Sequence, residues 1–218
     1  MDYFNIDHIL FKLLNYEVSY LEFWSILTGF AAVFYAAKNN LLTWWFAILN
    51  AILLFSLFFQ FQLYADMLLQ LYFLGIAIYG LLSWKEERAL PITNLSSRFR
   101  FYVTFIIILI WPLLSEIISR LHLFFPAFFE KPASYPYADS LIMLLSIIAQ
   151  FLLTKRKIDN WYLWIFVNVL GITVYGLKGI FLLSIQYVIF LILAISGLRE
   201  WKKLSKNQNR ENRVSPNS

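Results

Sequence analysis

The sequence predicts an all-α membrane protein: seven transmembrane helices in a 3+1+3 parallel-repeat arrangement, preceded by an N-terminal amphipathic helix. Three observations predict it. Of 218 residues 61% are hydrophobic and 14% charged, and the apolar residues fall in runs of about 20, the length that crosses a hydrocarbon core. Two stretches share an ending, Gly80-Leu81-x-x-Trp84 and Gly197-Leu198-x-x-Trp201. Each follows an aromatic segment with an asparagine, Trp44-Trp45-Phe46…Asn50 and Trp161…Trp164…Asn168, with Asn-to-Trp spacings of 34 and 33 residues, so a three-span unit looks duplicated. Finally, charge is distributed as an odd number of crossings requires.

In chain order, residues 1–17 are too short to span. They carry Asp7, His8 and Lys12 beside Phe4, Ile9, Leu10 and Phe11, which reads as an interfacial amphipathic helix. Spans follow at about 18–37, 41–60, 63–84, 100–122, 136–154, 160–177 and 180–201. They are continuous apolar stretches rather than the alternating segments of roughly 10 residues that build a membrane barrel, so helices are expected. The units are 18–84 and 136–201, and 98–122 is the linking helix. Because three spans invert the chain, one crossing between the units restores the starting side and makes the repeats parallel. The segment from Phe124 to Tyr137 contains Pro126, Pro132 and Pro136 and reads as a loop. Residues 204–218 read as a disordered polar tail.

Placing the ends of the odd-numbered spans together gathers 14 of the 18 Lys and Arg residues on one side. That side is expected to be the cytoplasm, with the C-terminus inside and only Lys12, Arg120, Lys131 and Lys178 outside. The net charge of +5 then reflects loops facing anionic lipid rather than nucleic acid. There is no cysteine and there are only two histidines, so no thiolate or imidazole-rich metal site is expected, and no cofactor. No HExxH, P-loop, paired intramembrane aspartates or Ser/His pairing at membrane depth is found, so no catalytic residues are assigned. No signal-peptide pattern opens the sequence.

Asn50 and Asn168 stand mid-span, where an unpartnered amide costs on the order of 1–3 kcal/mol. Each is either a strut between helices or one wall of a polar cavity. Phe46 and Trp164 precede them by one turn on the same face, and aromatic faces attract flat cationic rings. Gln70, Gln150, Tyr72 and Tyr187 are further cavity or strut candidates. Asp66, early in span three, is expected to cap that helix or to attract a cationic solute. Asp139 is expected to be an N-cap, and Glu116 to pair with Arg120 one turn on. Trp44, Trp84, Trp161 and Trp201 are expected to anchor at the membrane boundary. Gly171, Thr173 and Gly176 would let span six approach a neighbour closely or bend.

At these residues the chain resembles the Pnu-type vitamin transporters, whose members carry nicotinamide riboside, thiamine or riboflavin and whose fold is similar to that of the SWEET sugar transporters. The resemblance rests on Leu63-Tyr-Ala-Asp-Met-Leu-Leu-Gln70 with Gly80…Trp84, on Ser146-Ile-Ile-Ala-Gln150, and on Trp161-x-x-Trp164-x-x-x-Asn168 with Tyr187. It covers about residues 18–203. It implies a homotrimer in the bacterial inner membrane, a central site between the two units, and facilitated diffusion drawn inward by a cytoplasmic vitamin kinase or pyrophosphokinase. The family's Trp-x-x-x-Asn motif maps onto Trp164 and Asn168, whereas Phe46 stands where the first unit would carry Trp. The segment from Asp66 to Gln70 with Tyr72 looks slightly more like thiamine-type members, so thiamine is expected ahead of nicotinamide riboside. Riboflavin or sugar transport, or a non-transporting scaffold or receptor, are the alternatives.

Overall fold

The computed structural model describes residues 5–13, 16–60, 64–85, 91–126, 132, 135–177 and 181–214, with the side chains of 64–66, 68, 181–183 and 211–214 outside the description. Within those residues lie a two-stranded hairpin and seven helices. Six of the helices are long and apolar enough to cross a membrane. The chain divides into two compact units, Met1–Ala89 and Leu90–Ser218.

The first unit opens with β1 (Ile9–Leu13) and β2 (Tyr16–Ser19), paired antiparallel. Over the described part of residues 1–17 this corrects the expected amphipathic helix, and residues 1–4 and 14–15 lie outside the described residues. The apolar residues Ile9, Phe11 and Leu13 alternate with polar or opposite-facing positions, as do Tyr16 and Val18, and a period of two suits a strand. Val18 and Ser19 are buried, and Ser19 then caps α1 (Tyr20–Ala37). Its hydroxyl accepts from the Glu22 N–H at 3.1 Å while the Glu22 carboxylate accepts from the Ser19 N–H at 2.9 Å, a reciprocal capping box. The central helix, α2 (Leu42–Gln60), packs on both α1 and α3 (Tyr64–Lys85). Thr43 donates to the Ala32 carbonyl at 2.8 Å, which fixes the start of α2 against α1.

In the second unit α4 (Ser97–Phe124) packs on α5 (Pro136–Thr154), α5 on α6 (Asp159–Leu177), and α6 on α7 (Phe181–Val214). Ser115 of α4 and Ser140 of α5 share a buried hydrogen bond of 2.7 Å, and the Trp111 indole donates to the Tyr137 carbonyl at 2.8 Å. Ser115 is the one buried residue of α4, a helix whose other sides suit lipid. Glu116 pairs with Arg120 as expected. Asp139 is not the cap: Tyr135 holds that position, Pro136 follows it, and Asp139 sits in the first turn, where its charge complements the helix dipole. The polar segment expected to be disordered from 204 instead continues α7 to Val214. Its Lys, Gln and Arg residues favour helix, and Gln208 accepts a hydrogen bond from the Ile92 N–H at 3.1 Å.

The two units repeat one another internally at a constant offset. Helix α1 ends at Ala37 and α5 at Thr154, α2 runs Leu42–Gln60 and α6 Asp159–Leu177, and α3 and α7 begin at Tyr64 and Phe181. Each of these pairs is 117 residues apart. After α1, Asn39 and Asn40 donate to the Ala36 and Tyr35 carbonyls, and after α5, Arg156 and Lys157 donate to those of Leu153 and Leu152. Both are Schellman turns, with Asn39 at φ 50° and Arg156 at φ 49° in the left-handed position.

The same offset joins the tryptophans. Trp44 is fully buried, its indole lies where a side chain on Gly80 would project, and it meets Trp84 edge-on with centroids 5.2 Å apart. Trp161, Gly197 and Trp201 repeat this arrangement at 5.6 Å. A Cβ at either glycine would come within 2.6 Å of the indole, so glycine is what admits the ring. The four tryptophans therefore lock helices together instead of forming the expected boundary belt.

Candidate functional site

The offset of 117 also fixes which residues correspond, and it corrects the pairing expected from the asparagines. Asn50 matches Val167, while Asn168 matches Ala51, and Phe46 matches Leu163, while Trp164 matches Ala47. A slip of one residue turns a side chain by about 100° around a helix, so the two asparagines face different directions within their own units.

Asn50 is tied to α1. Its amide donates to the Ser25 carbonyl at 2.6 Å and to the Thr28 hydroxyl at 3.2 Å, and Thr28 in turn donates to the Trp24 carbonyl at 2.7 Å. These are the bonds of an interhelical strut. Phe46, one turn earlier, is half-buried and stacks on Tyr35 with centroids 5.4 Å apart and planes 4° from parallel. It also lines an apolar groove of about 360 Å³ along α2, with Leu42, Trp45 and Ile52. Gln70 is 6% exposed. Tyr72 is half-buried beside Phe73. Asp66 belongs to α3, and its side chain lies outside the described residues.

Asn168 is different. It is 3% exposed in the middle of α6, and its side-chain amide makes no hydrogen bond among the described residues. Trp164 lies one turn before it, half-buried and packed on the cluster of Ile142, Leu145, Val167 and Val174. Tyr187 of α7 packs on the same cluster. Its ring fills the place of a side chain at Gly171, where a Cβ would lie 2.5 Å away, and stacks on Tyr175 with centroids 5.2 Å apart. Gln150 of α5 is half-buried, and its amide likewise makes no hydrogen bond among the described residues. The second unit thus packs Trp164 and Tyr187 on one apolar cluster, with the amide of Asn168 one helical turn from Trp164. By the offset, Tyr187 corresponds to Gln70 and Gln150 to Val33.

Such an arrangement can stack a flat ring and offer it a donor and an acceptor, and it contains no activated nucleophile or paired acid and base. The family model described as "Nicotinamide mononucleotide transporter" matches residues 19–203. The chain belongs to that family. Curated relatives in this transporter family include the nicotinamide riboside transporter PnuC of Escherichia coli (strain K12), 28% identical over 92% of this chain and 94% of the relative. The PnuC of Neisseria mucosa is 24% identical over 88% of this chain and 75% of the relative. The riboflavin/roseoflavin transporter RibM of Streptomyces davaonensis is 25% identical over 34% of this chain and 35% of its own length. A crystal structure of the vitamin B3 transporter PnuC superposes with a TM-score of 0.68, covering 86% of this chain and 83% of that one at 22% identity, a likeness of fold. The protein is a multi-pass membrane transporter and not an enzyme.

Within this transporter family member, sequence reasoning missed the register between the repeats. The signal was present, because the spacings of 34 and 33 residues already disagree by one. Aligning on the Gly and Trp residues, whose packing demands conserved geometry, finds the offset that aligning on the asparagines loses.

Proposed function

We propose that the protein carries nicotinamide riboside across the bacterial inner membrane by facilitated diffusion, with Trp164 stacking on the nicotinamide ring and Asn168 bonding its polar edge. The observation that carries this reading is Asn168, 3% exposed and with an amide that makes no hydrogen bond among the described residues, one turn from a half-buried indole. Such an amide keeps a donor and an acceptor available, and a ligand that completes its hydrogen bonds gains from both. Tyr187 and Gln150 extend the same contact set, and Gln70, Tyr72, Phe46, Asn50 and Asp66 are the contributions assigned to the first unit. Among the latter, Asn50 has its donor already engaged and is the weakest member.

The preference for thiamine that the Asp66 to Gln70 segment favoured is replaced. Relatives that align over nearly the whole chain are named for nicotinamide riboside, and a cationic pyridinium with an amide suits the same aromatic and amide contacts. Binding of nicotinamide riboside, thiamine and riboflavin to the purified full-length protein tests the choice. Micromolar affinity for nicotinamide riboside, weakened at least about tenfold by Asn168→Ala, is the expected result. Binding of thiamine alone, or an unaltered affinity in the variant, overturns it.

The remaining parts of the reading are a 3+1+3 helix order, a homotrimer, a cytoplasmic C-terminus and inward trapping by a phosphorylating enzyme. Light scattering measures the oligomer, and a reporter fused after Ser218 measures the orientation. Uptake into proteoliposomes loaded with a nicotinamide riboside kinase and ATP, compared with protein-free vesicles, measures the trapping.

A further inference from the structure

Transport of a vitamin leaves unused a row of cations at the end of α7. Past Trp201, Lys202, Lys206 and Arg210 recur every fourth residue, with Ser205 and Asn209 beside them, so all five share one stripe of the helix. Together with Asn94 they line a hollow of about 380 Å³. Ile158, 1% exposed, contributes its apolar lining.

Asn94 is held in place from both sides. The Thr93 N–H donates to the Arg156 carbonyl at 3.2 Å, and the Thr93 carbonyl accepts from the Ile158 N–H at 2.9 Å. On either flank the Ile92 N–H donates to Gln208 and the Leu95 N–H to the Asp159 carboxylate at 2.7 Å. Residues 91–96 therefore form a fixed strap across the α5 to α6 turn and the end of α7, and the wall of the hollow is built before a ligand arrives.

The charges in this hollow are uncompensated among the described residues. Among the described residues no carboxylate pairs with Lys202, Lys206 or Arg210, and the Lys202 ammonium lies over the Tyr162 ring at 5.2 Å. Asp159, the α6 acid that binds the strap, is already held by Arg100 at 2.7 Å and by the Leu95 N–H. Like charges one turn apart repel, so a stripe of three is destabilised unless an anion joins them. Membrane orientation needs only a surplus of positive residues on one side. It explains neither their alignment on one stripe nor the three neutral hydrogen-bonding side chains that share the hollow.

We propose that this hollow binds a phosphate-bearing anion, drawn either from an acidic lipid headgroup or from a soluble phosphate ester. Ammonium and guanidinium groups beside amide and hydroxyl donors match the oxygens of a phosphate, and the volume admits more than the bare ion.

The test uses the full-length protein. Thermal unfolding in neutral detergent is followed against inorganic phosphate and nicotinamide mononucleotide, with chloride at matched ionic strength as reference. In parallel, the protein is placed in phosphatidylcholine nanodiscs with and without phosphatidylglycerol. Stabilisation by phosphate or the nucleotide identifies a soluble source, and stabilisation by phosphatidylglycerol alone identifies a lipid source. In either case the apparent affinity falls at least about tenfold in the triple variant Lys202→Gln, Lys206→Gln, Arg210→Gln. The double variant Arg199→Gln, Lys203→Gln, which removes charge off the stripe, keeps the response. If the triple variant does not fold, as judged by circular dichroism, Lys206→Gln alone decides by the same measure. The proposal is overturned if no anion stabilises the wild type beyond chloride, or if the double variant loses the response as fully as the triple. Vitamin uptake is not the readout, so this outcome stands apart from the substrate assignment.

Discussion

Helices α2 and α6 hold the same place in the two units, central to their neighbours and identical in length, yet α2 is closed and α6 is open. In α2 the polar residue Asn50 is bonded to Ser25 and Thr28 of α1, and the positions that match Trp164 and Asn168 are Ala47 and Ala51. In α6 the buried Asn168 retains its full bonding capacity among the described residues. The shared features, namely the Schellman turns and the Gly and Trp locks, are those that specify how helices pack. The features that differ are those that could meet a solute. Duplication has kept the frame and let the polar contents diverge, so a symmetric scaffold carries asymmetric recognition chemistry.

The comparison is broken most directly at the shared frame. Trp44→Ala and Trp161→Ala each remove a fully buried indole and are expected to destabilise by about 3–5 kcal/mol, with Gly80→Val and Gly197→Val acting in the same direction by forcing the ring out. Unfolding in detergent measures this. A large loss in one unit and none in the other would show that the two locks are not equivalent.

It is sharpened by the asparagines. Asn168→Leu is expected to weaken nicotinamide riboside binding at least about tenfold while leaving the unfolding midpoint unchanged or raised, because an unbonded amide is removed. Asn50→Leu should do the reverse, lowering stability by about 1 kcal/mol through the lost strut with affinity changed less than about twofold. Identical behaviour of the two variants in both assays would abolish the distinction between α2 and α6. A smaller effect is expected at the aromatic. Trp164→Phe keeps a ring but gives up indole area, and should weaken binding about threefold to tenfold with little change in stability. Calorimetric titration of the purified variant reads it.

The smallest effect concerns the hairpin, which the second unit lacks among its described residues. Burial, reinforced by the neighbouring Glu22 carboxylate, raises the Tyr16 phenol to about 12 from its ordinary 10.0. The folded state thus binds this proton more tightly than the unfolded state. The contribution is fully present below pH 10 and is lost as pH rises towards 12. Tyr16→Phe should flatten stability over that window, and an unchanged alkaline profile in the variant would remove the assignment.

Much of the frame was legible because it depends on length and apolarity. The second span was expected at 41–60 and runs Leu42–Gln60, and the fifth was expected at 136–154 and runs Pro136–Thr154. The hairpin was missed since Ile9, Phe11 and Leu13 lie among enough other apolar residues to satisfy a helical period as well. The helical end of α7 was missed because its polarity was taken for disorder, while its structure depends on a long-range bond from Ile92 to Gln208. Of the site, the residue types were legible and their bonding was not. Sequence shows an asparagine in mid-span, but whether a carbonyl such as that of Ser25 lies within its reach depends on how adjacent helices turn.

One helix sets a condition on the surrounding bilayer. The 28 residues of α4 amount to about 42 Å of rod, against roughly 30 Å of hydrocarbon. Its uncharged stretch from Phe101 to Ser115 is framed by Arg100 on one side and by Glu116 and Arg120 on the other. Lengthening the lipid tails would draw those charged flanks towards oil, and shortening them would strand apolar rings in the headgroups. Acyl-chain length is therefore a variable to which α4 should respond.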